Sequence, residues 1–136
     1  MEKLLDFIEL NDVEKAVNRI SKTQLGAIQN QTGMQFGEQL TRYILDYGYL
    51  AFESVEFYGI NSLQGKDSDM IKQTLYLYEY FPCTKPYVAI ENRGDANYSL
   101  IDKNDRIIEF MPELNNVLKD TGQKLFEYIL NRFEEV

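Results

Sequence analysis

No histidine occurs among the 136 residues, no tryptophan, one cysteine and three prolines. Without histidine the chain has no imidazole base, no usual serine or cysteine triad, and few ways to hold zinc or non-haem iron. The single Cys83 excludes an intramolecular disulfide and a multi-cysteine metal site. It lies between Pro82 and Thr84 with nothing to activate it, so a bystander thiol is expected. The sequence has no Gly-x-x-x-x-Gly-Lys-Ser/Thr loop and no Gly-x-Gly-x-x-Gly, so no phosphate cradle is visible. No run of about 18 apolar residues occurs. Acids also interrupt Met1-Glu2-Lys3-Leu4-Leu5-Asp6 where a signal peptide would be apolar. The expectation is a protein without catalysis, cofactor, metal or membrane contact, living in a reducing cytoplasm.

Positive charge is the other shortage. Fourteen basic residues face 22 acidic ones, for a net charge of −8. That balance opposes binding to a phosphate backbone, which depends on Lys and Arg displacing counterions, so no nucleic-acid partner is expected. It would steer the protein toward a basic partner, although it also serves solubility alone.

What is present reads as one α+β domain. Leu4, Leu5 and Ile8, then Val13, Val17 and Ile20, stand at helical spacing, and Asn11 divides them into two predicted helices within an N-terminal helical extension, residues 1–20. Ser21 with Gln24 forms a capping box for a helix from Lys22 to about Thr32, ended by Gly33. A further helix carries Phe36, Leu40, Tyr43, Ile44 and Tyr47 up to Gly48. Ala51 to Tyr58 alternates as one strand, and Gly59 to Gly65, with Asn61-Ser62, reads as a loop. Asp67, Ser68 and Asp69 start a helix with Ile71, Leu75 and Tyr78 as its buried face. The run from 75 to 81 alternates well enough to be a strand, but the start signals and Pro82 favour a helix.

Residues 87–112 hold the clearest β signals. Val88, Ile90, Tyr98, Leu100, Ile107 and Ile108 fall in three runs, separated by Arg93-Gly94-Asp95 and Lys103-Asn104-Asp105, and Pro112 closes the third. A three-stranded meander follows. A loop from Glu113 to Asp120 then leads to a helix whose stripe is Leu125, Phe126, Ile129, Leu130 and Phe133. The whole predicts a mainly antiparallel sheet of about four or more strands packed against several helices, with Ile90, Leu100, Ile108, Ile129 and Phe133 in the core.

Three short matches have plain readings. Asp102-Lys103-Asn104-Asp105 lacks the glycine and distant glutamate of a calcium loop and is expected to be a hairpin turn. Arg93-Gly94-Asp95 is expected to be only a turn. Asn30-Gln31-Thr32 and Asn97-Tyr98-Ser99 spell glycosylation acceptors with no export signal to make them active.

Order along the chain carries a resemblance. Asn92-Arg93-Gly94-Asp95, then Asn97-Tyr98 and a strand closing on Asp102, then Arg106-Ile107, resembles the central signature of the SUKH superfamily, the Smi/Knr-type family. Upstream Tyr47-Gly48, Phe57-Tyr58-Gly59 and Phe81-Pro82 stand where that family has them. The resemblance covers roughly residues 20–135, so residues 1–136 are expected to form a single SUKH-like domain with 1–20 as its N-terminal extension. It also implies a bacterial immunity protein that binds and neutralises a cognate toxin domain, typically a basic nuclease, by occluding it. The alternative is a non-catalytic regulatory or scaffold module without a toxin.

Ten tyrosines supply the rest of the argument, since tyrosine combines contact area with a polar tip and is enriched at interface hot spots. Tyr49, Tyr58 and Tyr78 lie near Glu53, Glu56 and Glu79 in sequence, and Glu91, Asn92 and Asp95 mark the first meander turn. These nine are the candidate partner-binding residues. Asn92 and Asp95 serve equally well as acceptors for the turn's own backbone. A monomer or weak homodimer is expected.

Overall fold

The structure, a computed structural model, describes residues 2–60 and 68–136. Among them are five α-helices and two antiparallel sheets, of three and four strands. In chain order these are α1 (Glu2–Leu10), β1 (Glu14–Lys15), α2 (Lys22–Thr32), α3 (Glu38–Asp46), β2 (Leu50–Phe52), β3 (Val55–Phe57) and α4 (Met70–Tyr80). The meander strands β4 (Val88–Gly94), β5 (Asn97–Ile101) and β6 (Arg106–Met111) follow, then β7 (Val117–Lys124) and α5 (Leu125–Glu134). The α+β architecture is the one expected. The reading of Asn61-Ser62, and of Asp67 as a helix-start acid, lies outside the described residues.

The meander forms in sequence order, β4-β5-β6-β7. Gly94, Asp95 and Ala96 all have positive φ, so Asp95 and Ala96 turn the first hairpin with the twist its strands need. The capping box of α2 is complete: Ser21 Oγ accepts from the Gln24 amide at 3.1 Å, and the Ser21 amide donates back to Gln24 Oε1 at 2.8 Å. Gly33 closes that helix in the left-handed region. α4 is a helix, capped by Asp69 accepting from the Lys72 amide.

Four local expectations are corrected. Residues 12–20 form no second helix: β1 pairs with β2, and the Ala16 amide donates to the Tyr47 carbonyl at 3.1 Å. Val13 and Ile20 are buried there, but Val17 is exposed. Residues 51–58 are a hairpin, β2 and β3, because the chain reverses at Glu53-Ser54 with Glu53 at positive φ. A glutamate seldom takes that conformation, so nothing in the residue types announced the turn. The buried side of α4 is Met70, Thr74 and Leu77, while Leu75 faces solvent. Thr74 hid that stripe from an apolar count; its Oγ1 donates to the Met70 carbonyl and accepts from the Ala89 amide at 2.9 Å. Finally, residues 117–120 open strand β7 and are no loop; it is an edge strand, polar along most of its length, so no alternation marks it.

Two helix N-termini are capped from far away. Gly37 precedes α3 and offers no side chain, and Asp105, from the β5–β6 turn, accepts from the Gln39 and Leu40 amides at 2.9 and 3.0 Å. A Cβ on Gly37 would stand 2.5 Å from the Asp105 carboxylate, which is why glycine sits there. Gln39 in turn accepts from the Phe126 amide in the first turn of α5 at 3.0 Å. These bonds fix α3, the meander and α5 as one body.

α5 is the centre of the core. Phe133 is fully buried, with Phe7 of α1, Phe52 of β2 and Phe57 of β3 around it at ring distances of 5.7, 5.8 and 5.6 Å. Ile90, Leu100, Ile108 and Ile129 are buried as well. The small sheet joins the large one where the Tyr58 amide donates to the Ile90 carbonyl at 2.8 Å, at a register shift in β4.

Candidate functional site

Alternation along β4 and β5 sends side chains to two different places. Glu91 and Ser99 pair across the strands and point to α5, where Tyr128 meets both. Asn92 and Tyr98, the next pair, line a cleft against α4.

On the α5 side the polar groups are consumed internally. Glu91 is 1% exposed, and its carboxylate accepts from Tyr128 Oη at 2.9 Å, Ser99 Oγ at 3.2 Å, and Arg132 Nε and Nη2 at 2.9 and 2.7 Å. Burial first, then the Glu91 charge, holds the Tyr128 hydroxyl in its protonated form well above the ordinary tyrosine range. A buried carboxylate so fully matched is costly to disturb and anchors β4 to α5. Glu91 is therefore placed to organise the sheet and lies off the surface.

On the α4 side the helix presents rings outward. Tyr76 and Tyr80 are 47% and 60% exposed, with centroids 4.9 Å apart. Tyr98 is half-buried opposite, and burial followed by the neighbouring Tyr76 raises its hydroxyl pKa. Tyr58, Gln73, Tyr76, Asn92 and Tyr98 enclose a cleft of about 420 Å³.

The nine expected contact residues thus separate. Asn92 lines the α4 cleft, with Tyr58 as its inner wall, and Glu79 is exposed on the same helix. Asp95 is exposed in the hairpin turn, while Asn92 Oδ1 accepts from the Gly94 amide at 2.9 Å. Tyr78 faces inward: its hydroxyl donates to the Tyr87 carbonyl at 2.5 Å, and burial pushes its pKa up to about 12. Tyr49 is buried, and its hydroxyl bonds to Glu56; burial, then this bond, raises its pKa. Glu53 is exposed in the β2–β3 turn, and Glu56 is exposed on β3. Tyr76, Tyr80 and Tyr98 were not among the nine, Tyr98 having been read as a strand residue of the meander. The spacing of 76 and 80, four residues apart on a helix, was the available signal.

Among the described residues, no group of three or more Cys, Asp or Glu is arranged to hold a metal ion. No helix among them is long and apolar enough to cross a membrane.

The family described as SUKH_5, SMI1-KNR4 cell-wall, matches residues 1–134. The chain belongs to that family. This agrees with the resemblance carried by the meander turn from Asn92 to Asp95 and its neighbours. No curated protein matches the chain.

Proposed function

We propose that the protein is an immunity protein, which binds a cognate toxin domain of the nuclease class and neutralises it by covering its active site. The observation that carries this reading is the exposed Tyr76–Tyr80 pair, its rings in tilted contact, in a chain of net charge −8. Large rings left in water beside a cleft cost solvation unless a partner covers them, and tyrosine is among the residues that dominate interface energy. Nuclease domains are basic because they hold phosphate backbones, so an acidic inhibitor is drawn to them and encounters them fast. Inhibition of this kind needs shape and charge and no chemistry. Of the sequence-chosen residues, Asn92 and Tyr58 line the cleft with Tyr76 and Tyr98, and Glu79 is exposed on the helix that carries Tyr76 and Tyr80.

The test is co-expression with the toxin-like product of a neighbouring reading frame. Rescue of growth, and elution of the two proteins as one complex, are expected. Neither rescue nor complex with any adjacent toxin-like product would overturn the reading. The cell-wall description of the family favours a second reading, a regulatory scaffold that docks a cellular enzyme. A gene neighbourhood with no toxin-like frame, and recovery of an endogenous enzyme on the same face, would support it.

A further inference from the structure

The cleft between α4 and the β4–β5 pair has neutral walls. Tyr58, Gln73, Tyr76, Asn92 and Tyr98 line it, and none of them carries a charge at neutral pH. Tyr76 and Tyr98 come from opposite sides, one from the helix and one from β5. Tyr80 packs on Tyr76 at 4.9 Å and extends the aromatic wall along the helix. The Asn92 amide is fixed by its bond to Gly94, and Gln73 stands at the α4 end.

Ring faces attract a cation; with the Asn92 oxygen already accepting from the Gly94 amide, the Gln73 amide oxygen is the acceptor the cleft can offer to a cation or a neutral polar group. The surrounding charge decides between these. A chain of net −8, with Glu79 exposed on the same helix and Asp95 exposed at the end of the same hairpin, raises the local concentration of cations and excludes anions. A volume of about 420 Å³ gives room for one long side chain and no more than a short stretch of its backbone.

We propose that this cleft is the anchor pocket for a single arginine or lysine side chain of the protein partner, gripped between the faces of Tyr76 and Tyr98 with Gln73 as hydrogen-bond acceptor. The assignment deepens the partner-binding reading above and rests on it. It names one residue type that the partner must offer, and it makes Tyr76 the residue on which affinity turns.

The experiment uses the full chain with labelled tyrosine rings, followed by NMR during titration with the blocked tripeptide acetyl-Gly-Arg-Gly-amide. Parallel titrations use the lysine peptide, the citrulline peptide and cellobiose. Citrulline keeps the shape of arginine and removes its charge. Saturable shifts at the Tyr76 and Tyr98 rings are expected with the arginine and lysine peptides, with affinity lower by about tenfold or more for citrulline. Tyr76→Phe should retain binding, because the ring face is kept, and Tyr76→Ala should abolish it while melting at the parent temperature. Equal binding of citrulline and arginine would overturn the proposal. So would cellobiose moving these rings where the arginine peptide does not, or no shift with either cationic peptide. The peptides test the pocket without any toxin, so the two readings fail separately. A toxin complex that survives Tyr76→Ala undiminished sinks the pocket alone, whereas peptide binding without any toxin complex sinks the immunity reading alone.

Discussion

The four-stranded sheet has two faces made by the same alternating strands, and they are used in opposite ways. Toward α5, Glu91, Ser99, Tyr128 and Arg132 satisfy one another, and Phe133 fills the space behind them with three further rings. Toward α4, Asn92 and Tyr98 open onto a cleft, and Tyr76 and Tyr80 stand in water. Both faces contain tyrosines. What differs is whether the hydroxyl and ring find partners inside the chain: Tyr128 does, and Tyr76 exposes about half its surface. The comparison teaches that a count of tyrosines near acids does not locate a binding face, since the same residue type serves as a structural bolt on one side and an open platform on the other.

The sharpest way to break this comparison is at Phe133. Phe133→Ala should destabilise by about 3–5 kcal/mol, because three rings, Phe7, Phe52 and Phe57, lose their common centre; denaturant unfolding measures it, and a cost under about 1 kcal/mol would mean that α5 is not the centre of the core. Arg132→Ala should cost about 3 kcal/mol by leaving the Glu91 carboxylate buried without its cation. Replacement of Glu91 and Arg132 together by Met should recover much of that loss, which separates an unpaired charge from lost packing. Asp105→Ala should cost about 1–2 kcal/mol, since it uncaps α3. Hydrogen exchange should report the opening first at the Gln39 and Leu40 amides.

Alkaline pH tests the buried tyrosines. The Tyr78 hydroxyl is raised to about 12 by burial, and Tyr43, Tyr49 and Tyr128 shift the same way. An unfolded tyrosine titrates near about 10, so above that pH the unfolded chain releases protons that the folded chain retains. The stabilisation is complete below pH of about 10 and falls as pH rises toward 12. Thermal melts from pH 8 upward should show no loss from these groups at first, then a steady decline. The smallest effect is expected on the open side: Tyr76→Ala should change stability by less than about 0.5 kcal/mol, and a larger loss would mean that its ring is part of the core.

Much of the fold was legible because its signals are local. Ser21 and Gln24 cap a helix by their own spacing, Gly33 ends it, and the turn residues of 93–95 and 103–105 mark the meander strands. Other elements were not legible because distant residues supply the deciding partner. The helical spacing of Val13 and Val17 lost to pairing with β2, Glu53 turns the chain without a turn residue's signature, and β7 is a strand only because β6 offers it a ladder. The candidate site was legible in part. Asn92 and Tyr58 were named and reach the cleft, but Glu91 and Tyr49 were named and are buried, since sequence adjacency says nothing about what packs against a side chain.

By itself the sequence determined the family, the meander, the absence of imidazole chemistry and the acidic balance, because each of these is a matter of residue type and short spacing. Tertiary structure alone decided which tyrosines face water, that Asp105 caps α3 from across the chain, and that Glu91 serves the core. Those outcomes depend on what packs against each side chain, and packing partners come from residues far apart in the chain.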